Sequence, residues 1–135
     1  MPLIVWSDNL SVGVKQFDDQ HKVLIDLINQ LHEAMSQGKA QKELDVILEK
    51  LIDYTRVHFS NEEKVMGQYA YQRLPIQKTA HINLTERVVD FQKQLQAGKV
   101  GLSIQVSNFL KEWLTEHILK EDKQYSAFFK QKGVV

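Results

Sequence analysis

The apolar residues of this chain recur at three- and four-residue steps in four successive segments. In the first segment, residues 18–37, the apolar positions are Leu24, Ile25, Ile28, Leu31 and Met35. This spacing is typical of an amphipathic helix, which turns one apolar face toward a core. Gly38 follows directly, and a glycine just past the last periodic residue indicates the end of a helix.

Three further segments have the same period. The second runs from about residue 41 to residue 65, and Gly67 follows it. The third carries Pro75 in its first turn, where a helix tolerates proline, and stops at Gly98. The fourth runs from about Leu102 to beyond Lys120. The chain is therefore predicted to be helical along most of its length.

Four helices with short connections predict an all-α fold, namely an up-down-up-down antiparallel four-helix bundle. We expect one domain over residues 1–135, with residues 1–17 as an N-terminal arm whose Trp6 packs over one end of the core. The aromatic side chains near the C-terminus are expected to fold a tail back onto the bundle. They are Tyr125, Phe128 and Phe129.

Composition removes several classes of protein. Seventeen basic residues balance seventeen acidic ones, so neither a nucleic acid nor a membrane surface is expected as a partner. The N-terminus lacks the basic start of a secretion signal, and no apolar run approaches the roughly 18 residues that span a bilayer; we expect a cytoplasmic protein. The absence of cysteine excludes disulfides and thiolate ligands. Any metal must then bind to imidazole, carboxylate or amide groups.

The histidines fall at helix ends that meet in such a bundle. His21 begins the first helix and His58 lies near the end of the second, while His81 begins the third and His117 lies near the end of the fourth. In an antiparallel bundle these four positions share one end. His32 lies about 16 Å further along the first helix, so it is expected to be structural or exposed to solvent.

Two carboxylates accompany these histidines. His58 and Glu62 are four residues apart, which places both on one helical face. His117 and Asp122 are five residues apart, which splays them by roughly 140° on an ideal helix. We therefore predict a local irregularity between His117 and Asp122, which would let both carboxylates reach one centre. Each pair alone is more often a hydrogen-bonded core histidine, but convergence from four helices favours a metal site.

The residues around these positions resemble the motifs of the haemerythrin family, specifically its single-domain bacterial form. The matching stretches are DDQHKVLIDLIN, HFSNEEKVM, the histidine-bearing end of QKTAH, and WLTEHILKED. The resemblance implies two iron ions with an oxo or hydroxo bridge, further bridged by Glu62 and Asp122. It also implies that His21 and His58 hold one iron, and that His81 and His117 hold the other with a third histidine.

The position of that third histidine is occupied by Gln77. A carboxamide has a similar reach to imidazole, but its oxygen is a weaker donor to iron. Three interpretations stay open: Gln77 is a weak ligand, it hydrogen-bonds near the start of its helix while water takes the iron position, or no second iron binds.

The resemblance also implies an apolar pocket for a small ligand. By helical offset the pocket is expected to be lined by Leu24, Phe59, Leu114 and Ile118. Reversible binding needs such a dry pocket, because water and protons promote irreversible oxidation. Tyr125 is either a hydrogen-bond donor next to the metal ligands or an anchor for the tail, while Trp113 and Met66 are expected to be packing residues.

The leading functional hypothesis is reversible binding of dioxygen, or a similar small diatomic, for storage, delivery or sensing, with an unknown reductant. One alternative is a di-iron enzyme that reduces peroxide or nitric oxide through an extra open iron position left by Gln77. Another is a bundle that has lost its metal and serves as an interaction module. A zinc protease or deaminase is disfavoured, because the chain has neither a cysteine set nor an H-E-x-x-H helix.

Overall fold

The chain forms an antiparallel four-helix bundle. Each of its four long helical segments is called a rod, and the fourth rod consists of several consecutive helical elements. The computed structural model describes residues 3–39, 41–97 and 103–134. A short 3-10 helix (Asp8–Leu10) precedes four long helices, α1 (Lys15–Ser36), α2 (Gln41–Gln68), α3 (Leu74–Gln96) and α4 (Ser103–His117). Helix α2 packs against both α1 and α3, and α4 packs against α1. The predicted all-α bundle is therefore confirmed.

The fourth rod contains the predicted irregularity. Helix α4 continues without a break into a π-helical segment (Ile118–Asp122) and then into α5 (Lys123–Gln131). A π-helix pairs each residue with the fifth one along, so residues five apart lie one above the other instead of splayed. His117 and Asp122 therefore face the same side, and the prediction of a distortion between them is confirmed.

The C-terminal aromatic residues pack onto the bundle by a different route from the one expected. They continue the fourth rod in α5 instead of folding back as a separate tail. Tyr125 and Phe129 are fully buried, and the ring of Phe17 from α1 contacts both. The long rod reaches this position because α5 extends alongside the start of α1.

The first two helices end in the same hydrogen-bond motif. At the end of α1, Gly38 has a φ of +68°, and the amides of Gly38 and Lys39 donate to the carbonyls of Met35 and Ala34. These are the two bonds of a Schellman motif, which requires a left-handed residue. The predicted role of Gly38 is confirmed.

Helix α2 extends past the end that the apolar pattern predicted near residue 65. Gly67 lies inside α2, and the left-handed residue is Ala70, with a φ of +56°. The amide of Tyr71 donates to the carbonyl of Met66, and that of Ala70 donates to Gly67. The predicted end near residue 65 therefore falls short of the observed end at Gln68, and the left-handed residue that follows the helix is Ala70 instead of a glycine.

The N-terminal arm is shorter than expected, because α1 begins at Lys15 and the arm ends at Val14. The side-chain amide of Asn29 binds both the amide and the carbonyl of Ile4, at 2.9 and 2.8 Å. Trp6 is half-buried against the core, as expected, with the Lys22 ammonium 4.9 Å from its ring centre. The extent of the domain over residues 1–135 stays a prediction.

The start of α3 agrees with the prediction from the sequence, whereas the predicted end of α3 and start of α4 lie outside the described residues. Pro75 lies in the first turn of α3, as predicted. Gly98 and Leu102 fall outside the described residues. Within those ranges, no helix combines the length and the apolar character that crossing a membrane requires.

Candidate metal centre

Four buried histidines, one from each rod, meet at one end of the bundle. Each of the four rings is at most 7% exposed. The ring centres of His21 and His58 are 4.6 Å apart, and those of His81 and His117 are 5.2 Å apart. The predicted convergence is confirmed. His32 lies apart from them, half-buried, with its Nδ1 3.3 Å from the hydroxyl of Ser107.

Glu62 lies between the two histidine pairs. Its Oε1 is 3.1 Å from Nε2 of His58 and 3.6 Å from Nε2 of His81, and its Oε2 is 3.6 Å from Nε2 of His21. The side chain is completely buried. One carboxylate therefore reaches donors from both pairs, as a bridging group must.

Asp122 also reaches both pairs, from the opposite side. Its Oδ1 is 3.1 Å from Nε2 of His117, and its Oδ2 is 3.2 Å from Nε2 of His21. The π-helical segment makes this possible, because it places Asp122 on the same face of the rod as His117.

The donor atoms divide into two groups of similar composition. One group contains His21, His58 and Glu62, and the other contains His81, His117 and Asp122. Within each group the ligand atoms lie within 4.8 Å of one another. Each group thus offers two imidazoles and a carboxylate to one cation, with the histidines divided as the resemblance to the haemerythrin family implied.

Two residues that the sequence reasoning missed orient the imidazoles. Nδ1 of His58 donates to the amide oxygen of Gln20 at 2.6 Å, and Nδ1 of His81 donates to Glu63 at 2.9 Å. A proton fixed on Nδ1 leaves the lone pair of Nε2 directed at the centre, which is the tautomer that a metal needs. The available signal was adjacency, since Gln20 precedes His21 and Glu63 follows Glu62.

Aromatic rings support the histidines of the second group. Phe59 stacks on His81 with ring centres 3.7 Å apart, and Trp113 stacks on His117 at 4.4 Å. Met66, in the same helix as Phe59, is completely buried. The packing role expected of Trp113 and Met66 is therefore observed.

Tyr125 fills both of the roles considered for it. Its ring is completely buried among aromatic side chains, and its hydroxyl donates to Oε2 of Glu62 at 2.5 Å. Burial, together with the carboxylates of Asp122 and Glu62, raises the pKa of Tyr125 well above its usual value. The phenol therefore keeps its proton and remains a donor to Glu62.

The electrostatics of the centre favour bound positive charge. Burial alone lowers the pKa of His21, but the facing carboxylates of Asp122 and Glu62 outweigh it and raise that pKa to about 10. Burial works against ionisation of Glu62, yet His58 and His21 hold its pKa well below the usual value. Two ionised carboxylates in a buried space need a compensating cation. A metal ion can supply that charge by displacing the proton from His21.

The hydrogen bonding at the centre tests its fit to a metal. Nε2 of His21, His81 and His117 lies 3.1 to 3.6 Å from a carboxylate oxygen, yet these nitrogens and Oε1 of Glu62 form no well-aligned hydrogen bond among the described residues. Buried polar groups are normally paired, so such a cluster requires an explanation. Imidazole nitrogens and carboxylate oxygens are suitable donors for iron. The residues present therefore fit a pair of metal ions.

Gln77 is completely buried and is directed at the same centre. Its Nε2 donates to Oδ1 of Asp122 at 3.0 Å, whereas its Oε1 has no partner among the described residues. The side-chain amide of Gln77 therefore bonds to Asp122 and does not cap its own helix. The N-cap residue of α3 is Arg73, and no side-chain hydrogen bond caps that helix end. Whether the free oxygen of Gln77 binds metal stays a prediction.

A small apolar cavity lies in the bundle beside the centre, with a volume of about 20 Å³. Leu24, Phe59 and Leu114 line it, as expected, together with deeper residues such as Leu51 and Thr55. Ile118 is completely buried but is not part of the lining. Ile118 lies one turn beyond Leu114, whereas the cavity extends in the opposite direction along the bundle, toward Leu110 and Leu51.

Comparison with known proteins agrees with this site. The family model described as "Hemerythrin HHE cation binding domain" matches residues 12–129. The chain is 35% identical over 125 residues to a bacteriohemerythrin of Pseudomonas aeruginosa, a match that covers 93% of this chain and 80% of that protein. It is 34% identical over 126 residues to a bacteriohemerythrin of Methylococcus capsulatus, covering 93% and 95% of the two chains.

The chain is also similar to a myohemerythrin and to a solved crystal structure. A myohemerythrin of Sipunculus nudus is 31% identical over 123 residues, covering 91% of each chain. A crystal structure of wild-type hemerythrin superposes with a TM-score of 0.86 at 33% identity, covering 93% of this chain and 96% of that one. This chain belongs to the haemerythrin family, whose domain binds a non-haem di-iron centre.

Proposed function

We propose that this protein binds dioxygen, or a similar small diatomic molecule, reversibly at its di-iron centre, and that it serves in storage, delivery or sensing. The observation that carries the proposal is a buried double donor set beside a small apolar cavity. The residues that we propose as metal ligands are His21, His58, Glu62, His81, His117 and Asp122, with Gln77 as a candidate seventh. The cytoplasmic location stays a prediction.

The chemistry depends on the metal, and the protein controls its surroundings. A reduced di-iron pair supplies the electrons on which reversible dioxygen binding draws. The chain holds the donors in a fixed arrangement, because Gln20 and Glu63 set the orientation of His58 and His81. Tyr125 keeps its own proton while it holds one oxygen of Glu62 in place.

The cavity selects for a very small ligand. Its volume of about 20 Å³ compares with the roughly 10–15 Å³ needed for one water molecule. Leucine and aromatic side chains supply most of its lining, so a water molecule there would lack the two to four polar partners that it needs. A diatomic gas needs no such partners. These features support a gas ligand and work against entry of larger substrates.

Iron loading and repeated oxygenation test the proposal directly. The metal-free protein would be reconstituted anaerobically with ferrous iron, and we expect two irons per chain. Dioxygen should produce a visible absorption band that disappears under vacuum and returns over several cycles. Fewer than one iron per chain would instead favour an interaction module without metal, and a band that never reverses would contradict reversible binding.

One observation favours a second candidate function, reduction of peroxide or nitric oxide. The group with His81 and His117 has the weak amide donor Gln77, whose only side-chain bond among the described residues goes to Asp122. A weakly held coordination position can admit a second exogenous ligand. Steady consumption of peroxide or nitric oxide, with an electron donor present, would support this candidate over a carrier.

Two substitutions separate the interpretations of Gln77. Gln77→His provides a strong donor and should slow oxidation of the reduced protein in air. Gln77→Leu keeps the approximate volume but has no donor atom, so it should lower the retention of one iron only if the amide oxygen is a ligand. If neither substitution changes iron content or oxidation rate, Gln77 has no direct role at the metal.

A further inference from the structure

The two donor groups are alike in their inner residues but differ in what lies behind them. Each group offers two histidines and one carboxylate. In the first, the Nδ1 proton of His58 is bound by the neutral amide of Gln20 at 2.6 Å. In the second, the Nδ1 proton of His81 is bound by the carboxylate of Glu63 at 2.9 Å. The acceptor therefore differs by a full negative charge.

A charged acceptor changes the imidazole as a ligand. Hydrogen bonds in which one partner is ionised are roughly twice as strong as neutral ones. A carboxylate that draws on the Nδ1 proton increases the electron density at Nε2, which makes the ring a stronger donor to a metal. His81 should therefore bind its metal more strongly than a histidine that is supported by an amide.

Glu63 lies at the edge of the centre, where water can reach its side chain. Its side chain is 25% exposed, whereas that of His81 is 2% exposed. Glu63 and His81 line a surface groove of about 290 Å³ between α2 and α3, with Arg56 and Ser60. Water at the groove can hydrate the outer face of the carboxylate, so the charge avoids the large desolvation penalty of a buried one. Glu63 acts on His81 through the hydrogen bond to Nδ1, which lies at the edge of the dry centre.

Two departures from symmetry occur in the group of His81, His117 and Asp122. Gln77, whose Nε2 is bound to Asp122, offers this group only an amide oxygen. Glu63 acts on a histidine of the same group. The half of the centre with the weakest donor thus also contains the histidine with the strongest support.

We propose that Glu63 is a positioning residue that strengthens His81 as a ligand and thereby retains the metal in the half formed by His81, His117 and Asp122. The two metal positions are consequently inequivalent, and the charge of Glu63 contributes to that difference. This inference rests on the proposed di-iron function.

Exchanging the acceptors provides matched variants. Glu63→Gln keeps the shape and hydrogen-bonding ability of the side chain and removes the charge. Gln20→Glu adds a charge behind His58 in the other half. Glu63→Asp keeps the charge on a shorter side chain and tests rescue. Each iron-loaded protein would be mixed with a chelator, and the release of the two irons would be followed by absorbance while Mössbauer spectra monitor the two iron environments.

The expected result is selective. Mutation of a residue that supports a metal-bound histidine typically costs about 10- to 100-fold in metal affinity. Glu63→Gln keeps a hydrogen bond and removes only the charge, so it should release one iron roughly 10-fold faster, at the low end of that range, and leave the other unchanged. Only one of the two Mössbauer components should change. Glu63→Asp should resemble the wild type more than Glu63→Gln does, and Gln20→Glu should slow release from the other position.

Other results would overturn the inference in distinguishable ways. Two irons per chain in the wild type, with unchanged release in Glu63→Gln, would remove the role of Glu63 and leave the proposed function intact. Equal acceleration of both irons, or a lower unfolding midpoint of the metal-free variant with no spectral change, would indicate a merely structural role. Fewer than two irons in the wild type would overturn the proposed function and this inference together.

Discussion

Two tyrosines in one aromatic cluster provide a quantitative test of the bonding at the centre. Tyr125 is completely buried and donates to Glu62 at 2.5 Å. Tyr71 is 8% exposed, and its hydroxyl has no hydrogen-bond partner among the described residues. The ring centres of the two tyrosines are 6.5 Å apart, and both rings contact Phe129. Replacing either tyrosine by phenylalanine removes only an oxygen atom.

The expected magnitudes differ because the two hydroxyls have different partners. Tyr125→Phe removes a hydrogen bond to a charged acceptor, which is worth about 1.5–3 kcal/mol, and keeps the ring packing. Tyr71→Phe removes a buried hydroxyl that makes no bond, so it should be neutral or stabilise the protein by up to about 1 kcal/mol. The two variants should therefore differ by about 2 kcal/mol in the free energy of unfolding.

Urea unfolding of the metal-free proteins, followed by circular dichroism, measures this difference. Equal slopes against denaturant concentration would show that both variants expose the same surface on unfolding, so that the midpoints report stability. If the two substitutions cost the same, or if Tyr125→Phe costs less than about 0.5 kcal/mol, the hydrogen bond to Glu62 does not contribute as the geometry indicates.

Three further predictions concern the helix ends, the N-terminal arm and the cavity wall. Gly38→Ala should destabilise the protein by about 1 kcal/mol and Ala70→Gly should stabilise it by a similar amount, because both residues have positive φ and a side chain there is strained. Urea unfolding measures both changes. If the two substitutions changed the free energy of unfolding in the same direction, this reasoning would be contradicted. Asn29→Ala removes both hydrogen bonds to Ile4 and should lower the free energy of unfolding by about 1–3 kcal/mol. Proteolysis of the N-terminal arm should also become faster, and an unchanged rate would show that these two bonds do not hold the arm in place. Phe59→Leu should speed oxidation of the reduced iron-loaded protein in air, because Phe59 lines both the surface groove and the buried cavity, and an unchanged rate would show that gas enters elsewhere.

The sequence predicted the helices and the meeting of the histidines because both depend on local periodicity and short connections. Apolar residues at helical spacing determine which face each rod buries, and short links force neighbouring rods to run in opposite directions. His21, His58, His81 and His117 then share one end whatever the details of packing. The spacing of His117 and Asp122 also predicted a distortion, because an ideal helix cannot place both inward.

Local signals were less reliable where two hydrogen-bond patterns competed. The apolar pattern predicted an end of α2 near residue 65, yet the helix continues to Gln68, and the left-handed conformation falls on Ala70. The aromatic residues of α5 suggested a tail that folds back, but they continue the fourth rod. In both cases the sequence predicted the helical or buried residues correctly, but packing at the end of the bundle determined where the helix ended and which way the chain continued.

The sequence alone determined the rods, their order and the end at which the donor residues gather. Only the tertiary structure decided which side chains support those donors: Gln20 behind His58, Glu63 behind His81, Gln77 on Asp122, and Tyr125 on Glu62. These contacts join residues that are 18 to 63 positions apart in the chain. Helical periodicity places a residue on a face, but the choice of hydrogen-bond partner depends on rotamers and on the distance between rods, which are set when the whole core packs.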